Sequence, residues 1–307
     1  MAEIIRARNL VKRFDGFTAV DGIDFSVRRG ECFGFLGPNG AGKTTTVRMI
    51  SCVSPVTEGE LAVASMDVRR EPRRIKSILG VVPQEDNLDP DLSVRQNLAV
   101  YTRYFDMPRE LANQRIEESL GLFQLVEKQH QPIWALSTGL KRRLTIARGL
   151  INQPRILVLD EPTTGLDPQA RHLVWQKLRY LREQGVTMLL CTHYMEEAAH
   201  LCDRLVIMHQ GRILVEGSPA ELVEEYAGRE VAEVHASGPQ RERVLAQMAS
   251  RPDLTVEEVE DILYIYARTA DGRAQMADLI LDSESVAYRQ ANLEDVFLRL
   301  TGRGLVE

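Results

Sequence analysis

Residues 32–44 read Cys32-Phe33-Gly34-Phe35-Leu36-Gly37-Pro38-Asn39-Gly40-Ala41-Gly42-Lys43-Thr44, an apolar run that breaks into a glycine-rich turn closed by lysine and threonine. The last eight residues satisfy the P-loop spacing, and the run before them predicts a strand leading into a helix that begins near Thr45. Glycines in that turn allow successive N–H groups to face phosphate oxygens, and the helix N-terminus adds positive potential. Lys43 is then placed to reach β- and γ-phosphates, and the Thr44 hydroxyl to meet Mg²⁺. A strand–loop–helix unit of this kind calls for an α/β fold.

A second apolar run, Ile156-Leu157-Val158-Leu159, ends in Asp160 and Glu161, the Walker-B arrangement of a strand finishing beside a P-loop. Strand alternation would send the two carboxylates to opposite sides, Asp160 toward the metal shell and Glu161 toward an attacking water. Further near-continuous apolar runs at Val186–Cys191 and Arg204–Met208 read as strands buried on both faces. A helix over about 169–184 joins the first two, a crossover of ordinary length. Between about Asp91 and Gln153 the apolar spacing is helical, with Val94, Leu98, Tyr101 and Tyr104 and then Ile116, Leu120 and Phe123. This segment reads as an all-helical insert.

The whole chain has 307 residues, 44% apolar and 27% charged, which excludes disordered and fibrous classes and allows two domains. With 44 acidic against 38 basic residues, it is not a uniformly basic nucleic-acid binder. The run Arg69-Arg70-Glu71-Pro72-Arg73-Arg74-Ile75-Lys76 could attract phosphates or headgroups, but reads as a solvated face. No run reaches the roughly 18 apolar residues of a membrane span, and charges at Glu3, Arg6 and Arg8 break any signal-peptide core. Cys32, Cys52, Cys191 and Cys202 form no CxxC pair and read as reduced, mostly buried thiols of a cytosolic protein.

After Tyr226-Ala227-Gly228 the pattern changes. Strands at 231–236, 254–260, 262–268 and 285–290 alternate with helices at 240–249 and 271–281, followed by a helix at 293–301. That order, βαββαβ plus one helix, predicts a ferredoxin-like α+β domain over 229–307. In the last helix Asn292 caps, and Leu293, Val296, Phe297 and Leu300 make an apolar stripe, read as docking on its own sheet in preference to a second subunit.

With these pieces in place, residues 4–225 resemble the nucleotide-binding subunit of ATP-binding cassette (ABC) transporters. Five further motifs fall in that family's order. Phe14, 23 residues before Gly37, stands where the family stacks an aromatic on adenine, and Gln84 stands at the Q-loop that touches Mg²⁺ and the attacking water. Leu136-Ser137-Thr138-Gly139-Leu140 stands at the signature LSGGQ, departing from it at Thr138 and Leu140; Gly165-Leu166-Asp167-Pro168 looks like the D-loop and His193 like the switch histidine. The resemblance implies a P-loop NTPase cassette over 1–228 with its helical subdomain at about 91–153. It implies catalytic roles for Glu161, His193 and Gln84, and ATP contacts from Phe14, Gly37, Asn39, Gly40, Ala41, Gly42, Lys43, Thr44, Thr45, Ser137, Gly139 and Asp167. Mg²⁺ would be held by Thr44, Gln84 and Asp160.

One P-loop and one signature per chain imply sites completed only between two cassettes, as in a homodimer with ATP. A separate membrane-embedded permease would hold the chain at the cytoplasmic face of the membrane, with no nucleic-acid partner. Residues 162–171 and Asn292–Arg303 look like the drug-resistance and nodulation-type exporters that work with ABC-2-type permeases on amphiphilic drugs, lipids or lipo-oligosaccharides. The rival is a soluble ABC-type ATPase acting on ribosomes or DNA. Those relatives carry two cassettes in one chain or long coiled coils, and this sequence has one cassette and no sustained heptads.

Overall fold

In the computed structural model, the described residues are 2–301 apart from 249, 252, 268 and 280–285, and the side chains of 239 and 270 are also left aside. The ends of the expected helices at 249 and 280–281, of the strands at 268 and 285, and Gly302–Arg303 of the exporter-like tail fall outside them. The chain divides into two units, Met1–Ile213 and Leu214–Glu307.

The first unit holds two sheets. One is antiparallel, in the order Phe17–Arg28, Glu3–Phe14, Glu58–Val63 and Met66–Asp67. The other runs Arg212–Gly217, Arg204–His209, Cys32–Leu36, Thr187–Thr192, Ile156–Asp160 and Leu79–Val82, with parallel pairing across its last five strands. Cys32–Leu36, Ile156–Asp160 and Thr187–Thr192 are buried at every position, as near-continuous apolar runs require. Phe25, Phe33 and Phe35 pack as an aromatic cluster where the two sheets share a core with Val158, Leu189 and Val206.

The helical insert begins at Val94–Tyr104, where Ser93 and Gln96 form a reciprocal capping box, and continues with Arg109–Leu122 and Thr138–Gly149. Val94, Leu98, Ile116, Leu120 and Phe123 are buried as their spacing predicts, but Tyr104 is 74% exposed and belongs to the solvent side. The Pro72–Ser77 helix anchors the basic run through buried Ile75 and leaves Arg73, Arg74 and Lys76 in water, an ordinary solvated face. Cys32, Cys191 and Cys202 are buried free thiols and Cys52 is half-buried.

In the second unit, strands Glu230–His235, Leu254–Val259, Ile262–Ala267 and Val286–Gln290 form one antiparallel sheet. Numbered along the chain, their spatial order is second, third, first, fourth, which is the split βαβ arrangement. Helices Gly238–Met248 and Ala270–Leu279 cover the face carrying Val234, Leu263 and Ile265 through Val244, Met248 and Met276. The last helix, Leu293–Thr301, packs on the Pro219–Leu222 helix and the Val223–Ala227 turn. This is why the second unit starts at Leu214 while the sequence pattern changes only near Gly228. Its Asp295 takes both Arg289 Nη atoms at 2.6 and 2.8 Å and the Tyr266 hydroxyl at 3.3 Å, so the stripe docks within its own unit.

Candidate functional site

The loop after the Cys32–Leu36 strand bends where a side chain could not follow. A Cβ at Gly37 would lie 2.2 Å from the Met208 carbonyl oxygen, and one at Gly42 (φ 101°) 2.5 Å from that of Ala19. The helix starts at Lys43, two residues before the expected Thr45, because Gly42 takes the left-handed N-cap conformation and its carbonyl accepts from the Thr46 N–H at 2.9 Å. Asn39 and Gly40 stand exposed at the loop tip, Ala41 and Gly42 are buried, and Thr45 is half-buried on the first helical turn.

Lys43 is only 4% exposed and its ammonium donates to the carbonyls of Gly37 (2.7 Å) and Pro38 (3.0 Å), lying along its own loop. Burial pulls its pKa below the ordinary lysine value, opposed by neighbouring Cys191, Glu161 and Asp160. The Thr44 hydroxyl donates to Asp160 Oδ1 at 3.2 Å, joining the helix start to the strand end. Burial raises the Asp160 pKa, Glu161 adding to the effect while the Thr44 hydroxyl and Lys43 oppose it. Hydroxyl and carboxylate oxygens converging beside a phosphate-shaped backbone cradle are the hard donors that Mg²⁺ takes.

Glu161 departs from the strand argument. The strand ends at Asp160, and Glu161 has φ 47°, so a left-handed turn and not strand alternation separates the two carboxylates. Its N–H still donates to the Cys191 carbonyl at 2.8 Å, holding it against the next strand. The carboxylate gathers three side chains: the Gln84 amide donates to Oε2 at 3.0 Å, the Thr164 hydroxyl donates to the same oxygen at 3.0 Å, and His193 Nδ1 lies 3.1 Å from Oε1. Gln84, Glu161 and His193, read separately along the sequence, therefore meet at one group. Thr164 was not singled out from the sequence, since nothing in Pro162-Thr163-Thr164 marks which hydroxyl meets Glu161.

Glu197 was also missed as part of this region. It is fully buried, accepts from the Thr163 hydroxyl at 2.7 Å and the Trp175 indole at 3.2 Å, and burial raises its pKa. Its signal, an acidic pair Glu196-Glu197 on a short helix, is indistinguishable from a solvated one.

The remaining expected contacts lie on separate elements. Phe14 ends a strand at a hairpin, 51% exposed with the Lys12 ammonium 4.7 Å from its ring centroid, which excludes a core role. Ser137 caps the Thr138–Gly149 helix, accepting from the Leu140 N–H at 3.3 Å, so that Thr138 is the first helical residue. Gly139 lies against the helix that follows the D-loop: a Cβ there would stand 3.2 Å from Ala170 Cβ. Asp167 caps that helix through the Ala170 N–H at 2.8 Å. Among the described residues no hydrogen bond joins Ser137, Gly139 or Asp167 to the P-loop.

Comparisons with known proteins place the chain among relatives. A family model described as ABC transporter matches residues 20–164, and one described as nodulation factor export protein NodI, C-terminal domain, matches residues 240–302. The chain is 47% identical to Nod factor export ATP-binding protein I of Ralstonia nicotianae, over 98% of this chain and 94% of the relative. It is 42% identical to the protein of that name from Cupriavidus metallidurans, over 99% of both chains. Among solved structures, CbiO1 from Clostridium perfringens, part of the CbiONQ ABC transporter complex, superposes with TM-score 0.68 at 27% identity, covering 73% of this chain and 92% of that one. The ATP-binding cassette MJ0796, solved as a dimer bound to ADP and Pi, superposes with TM-score 0.64 at 27% identity, over 70% and 98%. The relatives are export subunits, so the ribosome- or DNA-acting alternative gains nothing from them. The P-loop, the Walker-B pair and the full-length kinship together establish that the chain belongs to the ABC transporter family, among the exporter ATPase subunits of the Nod factor export ATP-binding protein I group.

Proposed function

We propose that two copies of this chain close on two ATP molecules and thereby drive a separate permease. The observation that carries the reading is the convergence of Gln84, Thr164 and His193 on the Glu161 carboxylate beside the P-loop. In this reading the backbone of residues 37–45 cradles the phosphates, Lys43 leaves its own loop carbonyls to meet the β- and γ-oxygens, and Phe14 stacks on the base. Thr44, Asp160 and Gln84 would hold Mg²⁺, which supplies charge neutralisation for the phosphates. Glu161 accepts a proton from the attacking water while Gln84 and His193 fix its orientation. Ser137, Gly139 and Asp167 complete the site of the opposite copy, with Thr138 and Leu140 modifying that contact.

The division of labour follows: residues 1–228 as the cassette with a helical subdomain at about 91–153, and residues 229–307 as a unit supporting pairing or coupling, without catalysis of its own. The permease docks beside the Gln84 loop and the insert and holds the chain at the cytoplasmic face of the membrane. Cargo is an amphiphilic molecule, a drug, lipid or lipo-oligosaccharide; the relatives' names, Nod factor export, favour the last.

The test is Glu161→Gln in the full chain. The amide keeps the shape but is a poor proton acceptor, so hydrolysis should fall at least about a hundredfold while ATP binding persists. Size-exclusion chromatography with Mg·ATP should then show an accumulated dimer. A variant that binds ATP and stays monomeric would sink the reading.

A further inference from the structure

The helix that Ser137 caps carries an arginine five residues further on which no step above uses. Arg142 is 6% exposed, and a guanidinium offers five N–H donors in one plane. Its Nε donates to the Pro162 carbonyl at 2.6 Å. Nη1 donates to the carbonyls of Pro83 at 2.6 Å and Gln84 at 3.3 Å. Nη2 donates to those of Asp160 at 3.0 Å and Glu161 at 2.9 Å.

All five of these acceptors are main-chain carbonyls. They fall into two short segments, 83–84 and 160–162, and those segments carry the two residues whose side chains meet, Gln84 Nε2 and Glu161 Oε2. A single rigid fork therefore fixes both backbones from which that contact hangs. Glu161 is the residue that needs such support, since its φ of 47° persists only where the surroundings over-determine it. Lysine could not substitute: its ammonium is a point donor with three N–H groups and cannot span two segments in one plane.

We propose that Arg142 is a positioning residue for hydrolysis, tying the helix headed by Ser137 to the backbones of Gln84 and Glu161 so that their alignment follows the position of that helix. The consequence rests on the pairing reading above. In the pair, this helix faces the partner's nucleotide, so closure on one ATP sets the water-activating group of the other site, and the two sites turn over cooperatively.

The experiment compares the full-length wild type with Arg142→Lys and Arg142→Gln, measuring the ATP dependence of hydrolysis, ADP affinity and folding by circular dichroism. Small misplacements of a catalytic group cost up to about a hundredfold in rate. The expected result is a fall in kcat of about that size in both variants, with ADP affinity and the KM for ATP within about threefold of wild type. The Hill coefficient should fall to about 1. Folded variants with kcat within about threefold of wild type, or with KM and kcat lost together, would overturn the proposal. So would two variants that both fail to fold, since Arg142 would then be a residue of stability alone. The pairing reading fails separately, if the wild type itself shows a Hill coefficient of 1 and a rate per chain independent of protein concentration; the split between kcat and KM still judges Arg142 in that case.

Discussion

Arg142 in the first unit and Arg289 in the second are both held by many hydrogen bonds, yet Arg142 bonds main-chain carbonyls and Arg289 bonds carboxylates and one carbonyl, that of Gln290. Arg142 bonds backbone carbonyls, and burial pushes its pKa down to about 10. Arg289 is bidentate to Asp295 and reaches Glu233 at 2.5 Å, and those carboxylates push its pKa well above the ordinary arginine value. Near the P-loop, then, the carboxylates of Asp160 and Glu161 form no arginine ion pair among the described residues, Arg142 taking their main-chain carbonyls instead. In the second unit the acid is fully matched, and the ion pair fastens a helix to a sheet. The same residue types thus build a reactive edge in one place and a clasp in the other, according to whether the cation takes its acceptors from the main chain or from side chains.

The largest effect that would test this contrast belongs to Lys43, the buried P-loop cation on which the Asp160 and Glu161 carboxylates act. Lys43→Ala should lower ATP hydrolysis by about a thousandfold, because in the proposed reading it removes the full charge that meets the β- and γ-oxygens. A steady-state assay that returned the wild-type rate would remove the reactive edge from the comparison. Asp295→Ala attacks the clasp. Stripping one partner from a buried pair costs about 3–5 kcal/mol, so hydrogen exchange in residues 286–301 should accelerate strongly while ADP affinity of the P-loop holds. Loss of ADP binding in that variant would show that the two regions do not divide the work.

Much of the fold on which this contrast rests was legible in the sequence, but unevenly. Spacing alone placed Gly37–Thr44 between strand and helix, and the alternation after Gly228 gave the split βαβ order. The stripe Leu293, Val296, Phe297 marked a docking helix, though not the Pro219–Ala227 segment that receives it. Asp160 and Glu161 were given separate tasks for a reason that does not hold, since a backbone dihedral and not pleat alternation turns Glu161. Nothing local marks Arg142, which stands in a run of three basic residues; its significance comes from carbonyls 18 to 59 residues away. The separate antiparallel sheet was equally hidden, because periodicity reports that a strand exists and not which neighbour it pairs with.

The smallest predicted effect concerns Glu197, a buried acid on the reactive side held by the Thr163 hydroxyl and the Trp175 indole, where burial outweighs the nearby charge of Arg142. Its folded pKa lies above the ordinary 4.5, so the neutral form is favoured by folding. That contribution is complete below pH 4.5 and is lost as pH rises through the raised folded value. Glu197→Gln should therefore gain stability relative to wild type on going from pH 5 to pH 8. Urea midpoints at the two pH values measure it; a difference that does not change with pH would mean Glu197 is charged in the fold.

The packing of the last helix on residues 219–227 also bears on how such chains can be recombined. A module defined by the matched segment 240–302 would be transplanted without the surface its terminal helix needs, leaving Leu293, Val296 and Phe297 facing a foreign segment. Exchange between paralogues should tolerate a crossover at Ile213/Leu214, in the strand that links the two units, and should reject one at Gly228. A swap of this chain's second unit should therefore carry the nine residues of short helix at 219–227 together with the terminal helix they receive.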